Sequence, residues 1–230
     1  MSKPDYILHY APDNASLVVR LALEELKLEY ETSLVDRQRK GQKNPAYLAL
    51  NPNGLIPVLE TPEGPLFETA AILLWLADRH GGLAPIPTSP DRGDCLKWLF
   101  FLSNTLHPAL RRLFYPELYV GADSGIQSHL NAASRRAIKD HLAVLNTRFE
   151  SDRCGLILDI YLGPMVRWLA LYPAQSDTSW FDLRSYPALF RAARALEDRP
   201  SLQSAFRAEG LGENPFTKPQ PATPPEGSPT

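Results

Sequence analysis

Cysteine is scarce in this chain of 230 residues: Cys95 and Cys154 are its two, in neither a CxxC pair nor a zinc-ligand spacing. That excludes a disulfide framework and a dithiol redox motif; no metal is expected, and a reducing cytoplasm is the expected location. Charge of one sign is missing as well. With 24 basic against 26 acidic residues and no like-charged cluster beyond a short loop, the chain lacks the footprint of a nucleic-acid binder. No apolar run approaches the ~20 residues a membrane helix needs, and no export-type apolar region precedes Tyr10. Neither a nucleic acid nor a membrane is expected as partner, and no internal repeat is visible. What is present is 44% apolar residues, enough to build one large or two modest domains without staples.

Tyr6-Ile7-Leu8-His9-Tyr10 reads as a buried strand that Ala11-Pro12-Asp13-Asn14 breaks. A helix follows through Leu17 and Leu21, with Asn14 or Ser16 suited to cap it. Leu28, Tyr30, Thr32 and Leu34 then alternate with polar residues at the strand period. A right-handed crossover would make the two strands parallel. Asp36 to Asn44 is a polar loop carrying Arg37 and Lys43, and Pro45 to Leu48 is a short helical piece.

The stretch Asn51 to His80, NPNGLIPVLETPEGPLFETAAILLWLADRH, organises the rest. Pro57 cannot donate to a strand ladder, so the chain turns before Val58 and Leu59; an X-Pro turn admits the cis form. Thr61 to Pro65 is dense in turn formers, and Leu66-Phe67 completes a hairpin. Glu68-Thr69 opens an apolar helix that should end near Arg79 to Gly82. A helix start carries unpaired N–H groups and partial positive charge, so a carboxylate can dock there while Glu68 faces an ammonium. That suits one end of a small peptide.

After Pro85, Pro87 and Pro90 no alternating strand returns. Ser89-Pro90 is placed to start a long helix that His107-Pro108 should bend. Further helices are marked by Ile138, Leu142, Leu145 and Phe149, by Asp159 to Tyr172, by Pro187 with Leu189, Ala192 and Leu196, and by a short piece after Pro200. Prolines recur beyond Gly212, so an unpacked tail is expected. The expected fold class is α+β with two domains: βαβαββα over residues 1–83, a linker over 84–89, an all-helical domain over 90–211 and a Pro-rich, disordered tail over 212–230.

NPNGLIPVLE (Asn51 to Glu60), ETAAILLWL (Glu68 to Leu76) and LDIYLGPMVRW (Leu158 to Trp168), in this order across two domains of these types, resemble the glutathione S-transferases along nearly the whole chain. The resemblance implies a thioredoxin-like first domain and glutathione as co-substrate. Leu55, Ile56 and Pro57 are the implied glutathione-binding residues, with Ile56 presenting its backbone to the cysteinyl part by strand addition, and Glu68 and Thr69 would hold the γ-glutamyl end. The donor that lowers the thiol pKa would come from Tyr10 to Ser16, where no cysteine stands; Asn14 and Ser16 are the catalytic candidates, although either can equally be the helix cap. The acceptor would sit between the domains, with Tyr10, His107, Phe114, Tyr115 and Tyr119 as candidates and Trp168 beside them.

The resemblance further implies a homodimer, with Asn104 reaching the neighbour's site. Four departures stand out, of which Thr69 in place of the commoner serine is mild because both carry a hydroxyl. Leu55 occupies a place where relatives carry a polar residue, so the glycyl carboxylate contact shifts to backbone, Arg37 or Lys43. Leu156 stands where a Ser or Thr would complete a capping box with Asp159. Ala15 in place of a cysteine disfavours protein thiol exchange. The implied activity is attack of the glutathione thiolate on a small apolar electrophile; a glutathione-dependent disulfide or peroxide reductase, and a non-catalytic binding protein of the same fold, are the alternatives.

Overall fold

The computed structural model describes residues 5–151 and 155–229. Strand β1 (Ile7–Tyr10) buries Leu8 and Tyr10 under helix α1 (Ser16–Glu25), whose residues from Ser16 to Leu23 are all buried. Strand β2 (Glu31–Leu34) runs parallel to β1 in the register Ile7↔Glu31 to Tyr10↔Leu34. It begins three residues later than the alternation from Leu28 suggests. The Leu28 N–H is taken by Leu23 O (3.0 Å), and pairing to β1 opens only where Glu31 N–H meets Tyr6 O (2.9 Å).

Helix α2 (Pro45–Leu50) is capped by Asn44, whose side chain accepts from Ala46 N–H at 3.0 Å. Strands β3 (Val58–Thr61) and β4 (Gly64–Phe67) form the hairpin, and the sheet order is β2-β1-β3-β4 with β3 antiparallel to β1. Helix α3 (Thr69–His80) ends on Gly81, whose φ of 73° is a backbone conformation that glycine adopts without steric cost. This is the thioredoxin-like unit.

The second unit is helical: α4 (Arg92–Phe101), α5 (His107–Phe114), α6 (Glu117–Val120), α7 (Ser124–Glu150), α8 (Leu156–Leu171), α9 (Pro187–Glu197) and α10 (Gln203–Ala208). The helix expected from Ser89-Pro90 starts at Arg92, because Ser89 spends its carbonyl on Arg92 N–H (3.1 Å) and its hydroxyl oxygen on Asp91 N–H (3.2 Å). The bend expected at Pro108 takes the form of a widened π turn, Leu102–Leu106, between α4 and α5. Pro108 lacks an N–H and its ring would strike the carbonyl four residues back, so the turn before it opens.

The missing capping box at α8 is replaced from outside the helix: Ile157 N–H donates to Leu83 O at 2.9 Å. Gly155 permits this approach, since at its φ of 120° a Cβ would lie 2.5 Å from Leu83 O. One apolar core runs from β1 and α1 through α8 into α9 and α10, and Cys95 is buried in it; Cys154 lies outside the described residues.

The expected unpacked tail requires correction. Beyond Gly212 the chain packs back on the molecule: Phe216 is buried edge-on against Phe206 with ring centroids 5.5 Å apart. Glu197 accepts from Phe216 N–H, Thr217 N–H and Thr217 Oγ1, each at 2.7 Å. Arg167 donates to Pro215 O (3.1 Å) and Gln220 O (2.8 Å), and Thr223 N–H to Gly210 O (2.9 Å). Proline removes backbone donors, so what this segment needs is partners for its carbonyls; a buried guanidinium supplies them.

Candidate active site

Strand register brings the implicated residues to one end of the sheet. His9, Val58 and Phe67 form a row across β1, β3 and β4. Just beyond that row lie the turn Tyr10 to Ser16, the Ile56–Pro57 pair and the Glu68-Thr69 start of α3. The Ile56–Pro57 peptide is cis. Leu55, 37% exposed, has its carbonyl held by Tyr47 Oη (2.8 Å) and Asn51 Nδ2 (2.8 Å). Ile56 comes next, and among the described residues its N–H and C=O enter no hydrogen bond. One residue therefore offers a backbone donor and acceptor just before β3, where the cis peptide turns the chain, which is what an added peptide strand needs.

Glu68 is exposed and sits at φ 72°, ψ 110°, a conformation that costs a non-glycine residue of order 1–3 kcal/mol. Thr69 behind it is buried. Its hydroxyl approaches Tyr161 of α8, whose phenol is raised by burial first and then by the nearby Glu68 carboxylate. Tyr161 Oη shares a 3.1 Å hydrogen bond with His107 Nδ1, and the His107 ring also lies 5.7 Å from that of Trp168. His107 is thus part of the wall of the second domain. Burial, aided by Arg111, pushes its imidazolium pKa down to about 4, so at neutral pH it is an uncharged ring.

The turn itself separates the two catalytic candidates. Asn14 is partly exposed; its Oδ1 accepts from Ala15 N–H (2.8 Å) and its carbonyl from Leu17 N–H (2.8 Å), which leaves Nδ2 as the donor end beside the start of α1. Ser16 differs from its expected role. It is fully buried, its hydroxyl donating to Ala11 O (3.0 Å) and accepting from Ala11 N–H (3.3 Å), so both functions of the group close the turn.

Asp13, which the sequence did not single out, is the keystone of this turn. It adopts φ 49°, and its buried carboxylate accepts from Arg167 Nε (2.9 Å), Trp168 Nε1 (3.0 Å) and Tyr172 Oη (2.7 Å). Its N–H donates to Glu209 (2.7 Å), which also takes Arg20 Nε at 2.9 Å. Burial pushes the Glu209 carboxyl up to about 7, outweighing the opposing pull of Arg20. One signal could have found these groups: Arg20 and Arg167 are lone charges inside apolar helical runs, and charges so placed are almost never buried unpaired.

The remaining acceptor candidates divide. Tyr10 is buried with Arg20 over its ring at 4.6 Å, and its hydroxyl donates to Glu226. Tyr115 reaches across the domains to accept from Arg37 at 3.1 Å. Phe114 packs against the core, and Tyr119 is 47% exposed. Asn104 is exposed in the π turn. Of the cations considered for the glycyl carboxylate, Arg37 turns to Tyr115 and the tail, while Lys43 lies 3.4 Å from Asn53 O. Among the described residues no cluster of side chains could hold a metal ion, and no helix is long and apolar enough to cross a membrane.

A scan against protein families matches residues 15–79 to the glutathione S-transferase N-terminal domain. Glutathione S-transferase GST-4.5 of Xanthomonas campestris pv. campestris is 32% identical over 89% of this chain and 98% of its own length. The disulfide-bond oxidoreductase YfcG of Escherichia coli K12 is 28% identical over 90% of this chain and 96% of its own. Among solved structures, a sphingomonad glutathione S-transferase complexed with glutathione superposes with a TM-score of 0.74 at 33% identity, covering 90% of this chain and all of that one. The fold is a thioredoxin-like domain coupled to a helical domain. The chain belongs to the glutathione S-transferase family.

Proposed function

We propose that the protein is a glutathione transferase in which Asn14 and the N-terminus of α1 stabilise the glutathione thiolate for attack on a small apolar electrophile. The observation that carries this is the meeting, at one sheet end, of the unpaired Ile56 peptide groups, Glu68 at the head of α3 and the Asn14 amide at the head of α1. Ile56 pairs with the cysteinyl backbone, the Glu68 carboxylate faces the γ-glutamyl ammonium, and the Thr69 N–H and hydroxyl face its carboxylate.

The thiol starts with a pKa near ~8.5; a hydrogen-bond donor and a helix N-terminus lower it by one or more units, each worth ~1.4 kcal/mol. The thiol proton leaves to solvent. The thiolate then forms the C–S bond while the leaving group departs with its electron pair, without a covalent enzyme intermediate. Ser16 holds the turn in place. The working assembly is a homodimer in this reading.

The test is conjugation of an activated aryl halide as a function of pH. Asn14→Ala should raise the apparent thiol pKa by about one unit and lower the rate near pH 6.5 about tenfold. An unchanged profile refutes the assignment. A second reading, glutathione-dependent disulfide reduction, is favoured by the likeness to a disulfide-bond oxidoreductase along 90% of the chain. Faster turnover of a small mixed disulfide than of the aryl halide would select it. Failure of the protein to bind immobilised glutathione would sink both.

A further inference from the structure

The C-terminal segment has a firm root and a light tip. The root, residues 210–223, is clasped by Glu197, Arg167 and the tight Thr223–Gly210 contact, where a Cβ on Gly210 would lie 2.1 Å from Thr223 O. The tip, residues 224–229, returns over the active-site turn instead of leaving the molecule. Glu226 is exposed, yet its carboxylate accepts from Tyr10 Oη. Gly227 lies against Pro12 and Leu34, so closely that a Cβ there would be 2.7 Å from Leu34 Cδ1 and 3.1 Å from Pro12 Cδ. The Pro229 carbonyl accepts from Arg37, whose other nitrogen reaches Tyr115 Oη at 3.1 Å. The tip thus meets one acceptor candidate, Tyr10, directly and another, Tyr115, through Arg37.

We propose that the tip is a built-in ligand of the acceptor cleft, and that it stands in for an apolar acceptor carrying a carboxylate. The groups it satisfies describe that molecule. Pro12 and Leu34 ask for an apolar body, thin enough that only glycine fits in the strap. The Tyr10 hydroxyl takes an anionic oxygen, and Arg37 has a carbonyl and a phenol where a guanidinium pairs best with a planar carboxylate. Replacing Glu226 and Pro229 by one acceptor carboxylate keeps an anionic oxygen on Tyr10 and gives the Arg37 guanidinium a carboxylate in place of a neutral carbonyl, while the root stays docked. Calling this cleft an acceptor site rests on the transferase reading, but occupancy by the tip does not.

The experiment therefore omits glutathione. Binding of 2-naphthoate and of its uncharged amide, 2-naphthamide, is measured by titration calorimetry on the full chain, on a chain ending at Thr223, and on the full-length Glu226→Gln variant. The shortened chain should bind naphthoate at least tenfold tighter than the full chain and tenfold tighter than naphthamide. Arg37→Ala in that background should erase the preference for the carboxylate. Glu226→Gln, which keeps the whole strap and so guards against a truncation that unfolds, should raise naphthoate affinity severalfold. Equal affinity of full and shortened chains, equal affinity for the two ligands, no effect of Glu226→Gln, or no binding to any form overturns the proposal. Loss of glutathione binding alone would refute the transferase reading and leave these results standing.

Discussion

Asp13→Asn tests whether the second domain holds the active-site turn. The carboxylate is fully buried and carries hydrogen bonds from Arg167, Trp168 and Tyr172, with the Arg167 guanidinium itself inaccessible. Asparagine keeps the shape, tolerates the left-handed backbone at φ 49°, and can still accept from Arg167 and Trp168. What it removes is the negative charge, and unpairing one member of a buried ion pair costs about 3–5 kcal/mol. Alanine adds the left-handed penalty of a further ~1 kcal/mol. For a chain of this size each kcal/mol lowers Tm by about 2–4 °C, so Asp13→Asn should melt about 6–20 °C below the parent. Urea denaturation followed by tryptophan fluorescence and circular dichroism provides the free energy. A loss below about 1 kcal/mol, the range of an exposed pair, would refute the reasoning.

Glu209 predicts a pH dependence of opposite sense to an ordinary ion pair. Its folded-state pKa is raised from 4.5 to about 7, so between those values the folded chain keeps a proton that the unfolded chain has released. Stability should therefore fall as pH rises from about 4.5 to about 7 and level off above; Glu209→Gln should flatten that slope, and an unchanged slope would refute the assignment. Glu68→Gln should weaken glutathione binding about tenfold or more, the worth of a charge-assisted hydrogen bond, and unchanged affinity in calorimetry would place the peptide elsewhere. Ser16→Ala should lower stability by about 1 kcal/mol, the worth of a turn hydrogen bond, without shifting the apparent thiol pKa; a shift equal to that of Asn14→Ala would return Ser16 to the reacting centre.

Periodicity and punctuation carried much of the fold. The apolar alternation, Pro57, the hairpin turn and the Glu68-Thr69 start led to the order of elements and to the sheet end where the site lies. The tail was misread because composition reports only what a segment lacks. A proline-rich stretch without helix or strand has no internal partners, but its carbonyls can be satisfied by Arg167, about fifty residues upstream, a pairing that local sequence cannot reveal. The role of Ser16 was open for a related reason: a hydroxyl at a helix start serves a ligand or the turn, and only the position of Ala11 shows which contacts it makes. Asp13 escaped notice because aspartate is ordinary in turns, and its partners lie on another domain.

The three-way grip of Arg167 has a consequence for how such chains can be recombined. A single guanidinium holds Asp13 of the first domain, Pro215 and Gln220 of the tail, and its own helix in the second. Grafting a first domain from a relative with an uncharged residue at position 13 would leave a buried cation without its counter-ion, and grafting a foreign C-terminus would strip it of two carbonyls. Domain exchange between members of the family should therefore succeed only when positions 13 and 167 and the segment 215–220 travel together as one inherited set.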